Sequence, residues 1–167
     1  LSSHAMTTPV TISRTFDDYL NIVSYTNEHG LTSTYTYSGT TKRLGNASEP
    51  VSETKKIYTE IVSRNAAGDV LELKLRAENA GGAVLKHEVY EYDSYGNLTL
   101  HRIKEADQDL DTRIEYSTTY NKAYPTKVKR EYRKVDDPST ILTHEVRATY
   151  NAATGTVKSY QVGTGST

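Results

Sequence analysis

Apolar and polar positions alternate with a period of two along most of this chain. Leu71, Leu73, Leu75 and Ala77 fall on one side, with Glu72, Lys74 and Arg76 on the other. Tyr35 and Tyr37 share a side, as do Tyr90 and Tyr92; Ile114, Tyr116, Thr118 and Tyr120 form a further row, and Leu142, His144, Val146, Ala148 and Tyr150 another. This is the pattern of a strand buried on one face. Helix competes weakly, because the Leu residues recur at two and not at three or four; Tyr58 to Ala67 is the most ambiguous stretch.

Turn signals punctuate the alternation at even intervals. One kind places an aromatic residue before a short polar loop. Its clearest copy is Tyr90-Glu91-Tyr92-Asp93-Ser94-Tyr95-Gly96-Asn97-Leu98. Weaker copies start at Phe16 and Asp17, at Arg64 and Asn65, at Tyr120 and Asn121, and at Tyr150 and Asn151, the last with Gly155 in its loop. Successive copies at 64, 92, 120 and 150 are 28, 28 and 30 residues apart. A second kind lies midway: Asn27 to Gly30, Asn79 to Gly82, Ala106 to Asp109 and Asp136 to Ser139. Gly, Asn, Asp and Pro gather there because they accept or enforce turn dihedrals. A chain that reverses this regularly is a repeat architecture, and the prediction is all-β: repeated antiparallel hairpins forming an extended, twisted meander sheet.

The residue types explain how such a unit holds. An Asp or Asn opening the loop accepts a hydrogen bond from a backbone N–H two residues on, and Gly96 takes a positive φ at little steric cost. Tyr rings stacked at the same strand position in each repeat would contribute about 0.2–1 kcal/mol per cross-strand pair. Leu20 stands where the turn glycine belongs, Arg64 stands where the Tyr belongs, and Tyr37-Ser38-Gly39 has lost the Asp. Local bulges or wider loops are expected at these departures, with the stack interrupted at Arg64. Residues 38–55 are polar and without period, and are read as an irregular loop. The organisation expected is a cloning scar at 1–6, first hairpins at 7–37, that loop, a regular array at 56–162, and a tail at 163–167.

Composition narrows the function. Of 167 residues only 35% are hydrophobic; there is no Trp and one Phe, yet there are 14 Tyr and 24 Thr, residues suited to a pleated, half-exposed surface. A net charge of −1 from 20 basic and 21 acidic residues singles out neither nucleic acid nor an anionic membrane. Without Cys there is no disulfide, thiol chemistry or Cys-ligated metal. No apolar run approaches the ~18 residues of a membrane helix. His29, His87, His101 and His144 show no metal-ligand spacing and read as solvated surface residues. The acidic stretch Asp107-Gln108-Asp109-Leu110-Asp111 and the pair Asp136-Asp137 offer oxygen ligands, but the first lacks the Gly and distant Glu of a calcium loop and reads as a hairpin tip. Lys127 to Lys134 is the strongest basic stretch and reads as an exposed strand edge protected by Lys. Asn46 and Asn97 open sequons by pattern. No cofactor, metal or catalytic residue is expected.

The pattern resembles the YD repeat of the RHS family, which includes bacterial RHS proteins, the B and C components of insecticidal Tc toxins, and teneurins. Asn27-Glu28-His29-Gly30-Leu31-Thr32-Ser33-Thr34-Tyr35-Thr36-Tyr37 matches the first half of the family motif, and Tyr90 to Leu98 matches the second half. The resemblance implies a sheet that spirals into a hollow shell around a C-terminal toxic or signalling segment. It also implies neighbouring repeats of one parent chain as partners, and a secreted or cell-surface bacterial location. Some relatives end the shell with a self-cleaving protease marked by paired Asp-Pro-x-Gly motifs. Here only Asp137-Pro138-Ser139-Thr140 stands, without the Gly, so no protease is inferred. The function expected is therefore structural and non-enzymatic, with edge-to-edge self-association of the isolated piece. Two rivals remain. One is a glycan- or receptor-binding module using Tyr35, Tyr92 and Tyr116 as stacking platforms; the other is a hydrolase using Glu88 and Glu145.

Overall fold

The computed structural model describes residues 11–105, 109–134 and 137–166. Residues 1–6, the Ala106 to Gln108 part of one turn, and Asp136 lie outside the described residues. Twelve strands follow one another: β1 (Ser13–Phe16), β2 (Ile22–Thr26), β3 (Thr32–Tyr37), β4 (Leu44–Pro50), β5 (Lys56–Arg64), β6 (Val70–Ala77), β7 (Val84–Tyr92), β8 (Leu98–Lys104), β9 (Asp109–Tyr116), β10 (Pro125–Lys134), β11 (Asp137–Tyr150) and β12 (Val157–Ser166). Their order in the sheet is their order in sequence, and neighbouring strands pair antiparallel from β1 to β5 and from β7 to β12. The expected all-β meander is what forms. Its one helical element among the described residues is a 3-10 turn at Thr118–Tyr120. The chain divides into two compact units, one comprising residues up to Val62 with Lys74–Leu85, the other Ser63–Leu73 with residues from Lys86 onward.

The short turns are one structure used four times. In the loop that opens at Asp17, the N–H of Asp17 donates to Asn21 O and that of Leu20 donates back to Asp17 O, both at 3.0 Å. The same pair of bonds closes the loops at Asn27, Asn65 and Asp93. In each, the Asx side chain accepts from the backbone: Asp93 Oδ1 takes the N–H of Tyr95 at 2.9 Å and of Asn97 at 3.0 Å. Asp17 and Asn27 do likewise, and Asn65 takes the N–H groups of Gly68 and Asp69. The fourth residue is left-handed in every case: Leu20 at φ 65°, Gly30 at 73°, Gly68 at 99° and Gly96 at 83°. Asn151 closes a loop one residue longer, with Gly155 at φ 70°, and Ser38 does the same with Lys42 at φ 56°.

Next to these turns the ladder is bulged at the aromatic position. The register shifts just before Phe16, Tyr37, Tyr92 and Tyr150, which then face Ile22, Leu44, Leu98 and Val157. One ring meeting one aliphatic side chain across a bulge is thus the repeated packing unit. A bulge also raises local twist and re-aims the side chain it carries.

Three expectations are corrected. Residues 38–55 are not loop throughout: β4 occupies Leu44–Pro50 and pairs on both sides, with Ala47 only 5% exposed. Polar Asn46, Ser48 and Glu49 concealed it, because a strand solvated on one side and short of aliphatics has no hydrophobic period. The tail at 163–165 is strand, paired through Gly163–Glu145 and Gly165–Thr143. Of the bulge or wider loop expected at Leu20, the bulge is there, at Phe16, and the wider loop is not: Leu20 adopts the strained left-handed state and keeps the common length, whereas the loop at Ser38 is one residue longer.

A left-handed L-residue costs roughly 1–2 kcal/mol, and Leu20 is 82% exposed, so its side chain contributes little burial. Leu20→Gly is expected to raise the urea midpoint, by about 1 kcal/mol in stability. A drop in stability would show that the side chain packs after all.

Candidate functional site

Almost nothing in this chain is fully buried. Among the described residues the buried apolar side chains are Ala47 and Leu100, and the buried charged ones are Glu88 and Asp111. Chemistry must therefore be sought on faces and clefts. Each face follows from register, because alternate residues point to opposite sides.

In the second unit the two faces differ sharply. One carries three cross-strand rows of charge: Arg102, Asp111 and Glu131; Arg113, Lys129 and Glu145; Glu115, Lys127 and Arg147. Arg102 grips Asp111 with two bonds, Nε to Oδ1 at 2.6 Å and Nη2 to Oδ2 at 2.8 Å. Asp111 then meets Arg113 at 2.9 Å, Arg113 meets Glu131 at 3.3 Å, and Glu131 meets Lys129 at 2.7 Å. A second chain joins Glu115, Lys127, Glu145 and Arg147. The Arg102 hydrogen bonds hold the Asp111 carboxyl below its ordinary range, against burial that pushes it up. The opposite face carries Ile114, Val128, Val146 and Val162 as one continuous aliphatic row, beside a polar row of His101, Thr112, Arg130, His144 and Thr164.

The aromatic residues meet locally. Tyr120, Tyr124 and Tyr150 form a cluster, with Tyr120 edge-on to Tyr150 at 5.5 Å and Tyr124 stacked on Tyr150 at 4.9 Å. The backbone N–H of Tyr150 donates to Tyr120 Oη at 3.1 Å, and Tyr150 Oη donates to Pro125 O at 2.7 Å. This joins motif residues of two successive copies, as the stack requires. Elsewhere the stack is replaced. Tyr90 lies parallel to His101 at 5.0 Å, and His101 Nε2 is 2.7 Å from Glu88 Oε1. Burial, with Glu88 alongside, pushes the Tyr90 hydroxyl up to about 12. The expected Tyr stack, interrupted only at Arg64, is thus corrected to separate ring contacts among the described residues. Arg64 uses its position differently, donating from Nη1 to Gly68 O at 2.7 Å across its own turn.

The turns also hold one another. Asn97 Nδ2 donates to Lys122 O at 3.0 Å, linking one copy to the next. Asn121 and Lys122 are both left-handed, at φ 51° and 60°. Gly155 packs so closely on Tyr124 that a Cβ there would lie 2.2 Å from Tyr124 Oη, whereas the space around Gly30 is open.

Among the described residues, clefts open on the faces. Arg14, Ile22, Tyr25, Tyr35 and Tyr37 line one of about 340 Å3 in the first unit, where Arg14 stands 5.3 Å over the Tyr25 ring and Tyr37 Oη donates to Ile22 O. A second, of about 190 Å3, lies at Arg102, Asp111 and Glu131; a third, of about 420 Å3, lies beside Arg130 and His144.

The remaining candidates are placed as follows. Of the histidines, His87 and His101 are not simply solvated, since each bonds to a Glu, Glu72 at 2.8 Å for His87. Asp107 lies outside the described residues; Asp111 is held by two Arg, and among the described residues no group of three or more His, Asp or Glu could hold a metal. Lys127 and Lys129 do not guard an edge, because β10 is paired on both sides by β9 and β11 and both side chains sit in the charge rows. Asn46 bonds to Thr36, and Asn97 is committed to Asp93 and Lys122. Sequence reasoning missed the charge rows, although odd positions 109–115 and 127–131 are charged throughout; that alternation was the available signal. Of the platform residues, Tyr35 lines the first cleft, while burial raises the hydroxyls of Tyr92 and Tyr116, with Asp69 and Asp93 adding to it.

No family model matches the chain, and no curated protein matches it. Among solved structures, a chain of the TcdB2-TccC3-TEV crystal structure is similar in fold, with a TM-score of 0.49 and 15% identity. The match covers 92% of this chain and 9% of that one.

Two predictions follow from these contacts. Gly30→Ala and Gly155→Ala both strain a left-handed residue, but only the second meets Tyr124. Gly155→Ala is expected to destabilise by about 1–3 kcal/mol more, and the difference should vanish in a Tyr124→Ala background, read by urea unfolding. Asp111 is depressed in the fold, so its contribution is complete above the ordinary aspartate range and is lost as pH falls through the lowered value. Asp111→Asn should cost about 1–3 kcal/mol at pH 7 and flatten the acid limb of stability against pH; an unchanged limb would show the pair to be silent.

Proposed function

We propose that this chain is a stretch of wall in a YD/RHS-repeat shell that encloses a C-terminal toxin or effector segment of its own parent protein. The observation that carries the reading is the repeated unit itself: an Asx-closed turn, a left-handed fourth residue and a bulged aromatic meeting one aliphatic. That unit builds sheet without needing a core, and a sheet without a core is suited to wall rather than to a catalytic pocket. In this reading Phe16, Tyr35, Tyr37, Tyr90, Tyr92, Tyr120 and Tyr150 are staples. Asp17, Gly30, Asp93, Gly96, Asn97, Asn121, Asn151 and Gly155 are the turn set. The chain carries no catalysis of its own, its partners are neighbouring repeats and the enclosed segment, and the parent is a secreted or surface bacterial protein. The isolated piece would associate through its sheet edges.

The cleft at Arg14, Tyr25, Tyr35 and Tyr37 favours the second reading, a binding face for glycans or a receptor, because three half-buried rings line it together. Limited proteolysis of the intact parent protein separates the two. The wall reading expects the segment after the repeats to resist a protease until the repeats themselves are cut. A segment digested as fast as a free linker would overturn it.

A further inference from the structure

We propose that Arg130 and His144 form an oxyanion site that takes a phosphate monoester carried on a flat or apolar body. In the register of the second unit, Arg130 lies opposite Thr112 on β9 and opposite His144 on β11, and His144 lies opposite Thr164 on β12. With His101 opposite Thr112 on β8, these residues make one polar row directly beside the row of Ile114, Val128, Val146 and Val162. Two basic side chains are therefore immediate cross-strand neighbours, an arrangement that is unfavourable when both are charged and nothing offsets them.

The other face shows how this sheet treats its cations. Lys127 has Glu115 and Glu145, Lys129 has Glu131, Arg102 has Asp111, and Arg113 has Asp111 and Glu131. Arg130 is exposed, and no carboxylate among the described residues pairs with it. The missing counter-charge is what a bound anion supplies.

The surroundings select the kind of anion. A cleft of about 420 Å3 opens over the pair, a size suited to a small ligand. Tyr132 and Leu142, themselves cross-strand partners, line one side, and the Tyr132 ring is 40% exposed. Thr164 lines it too, beside Gly165, which presents no side chain; Thr143 borders it from the other face of β11, its hydroxyl donating to Gly165 O. A guanidinium fork, an imidazole and the Thr164 hydroxyl offer more donors than the two oxygens of a carboxylate take up. The three free oxygens of a phosphate monoester match them, with Arg130 able to bind in a fork. The ring and Leu142 then accept the organic body. The site lies within one unit and is independent of the wall reading.

The test is titration of the protein with phenyl phosphate, inorganic phosphate and phenol, followed by 1H–15N NMR. Phenyl phosphate should shift the amides of residues 130–132 and 142–144, with inorganic phosphate binding more weakly and phenol not at all. Arg130→Gln should weaken phenyl phosphate by about tenfold or more, the scale of one charge-assisted hydrogen bond. His144→Gln should weaken it less, and Tyr132→Ala should bring it down to the level of inorganic phosphate. Circular dichroism shows whether each variant keeps the sheet. Shifts that survive Arg130→Gln, or none at these residues, would overturn the site.

Discussion

The repeat in this chain depends on closing a hairpin with a three- or four-residue loop and a side chain. The Asx carboxyl or amide satisfies the N–H groups that the reversing backbone leaves open, and the left-handed residue returns the chain in phase with the bulge. Each turn is thereby specified by local chemistry, largely independent of what packs above or below it. This is why the geometry persists where its usual glycine is replaced by Leu20. The side-chain bonds at Asp17 lower its carboxyl, the Asn21 amide first among them. At Asp93 burial pushes the carboxyl up, but the backbone and side-chain donors of Asn97 outweigh it.

Local closure has to substitute for a core. A sheet with so few buried side chains gains little from the hydrophobic effect per residue, since apolar surface contributes only about 25 cal/mol for each Å2 removed from water. The compensation is distributed. Aromatic and aliphatic partners meet at the bulges, hydroxyls pair across strands, as Thr15 with Ser24 and Thr26 with Thr32, and one face of the second unit is laced with ions. Exposed ion pairs are individually weak. Connected through shared carboxylates such as Asp111 and Glu131, they fix which strand residue faces which, and so guard against a slip that would exchange the faces.

The fold was legible because its signals are local. Gly30, Gly96 and Gly155 mark positive φ, Asp93 and Asn151 mark loop openings, and the period of two marks strands. What stayed hidden was either unhydrophobic or relational. β4 carries too few aliphatics to show a period. Leu20 breaks the glycine rule at the level of sequence while obeying it in conformation. His101 as the ring partner of Tyr90, and Tyr124 as the contact of Gly155, require knowing the register between strands. That register depends on bulges, which shift pairing by one residue without altering the composition around them.

The bulge has an evolutionary corollary. Removing or adding one residue within a paired run would exchange the two sides beyond that point, so single-codon indels are disfavoured except where a bulge or turn absorbs them. Duplicating a complete hairpin pair, by contrast, lengthens the polypeptide and leaves every side chain on its original side. Such a gene can grow by whole modules, while single-residue changes are taken up in the turns, as in the longer loops at Ser38 and Asn151.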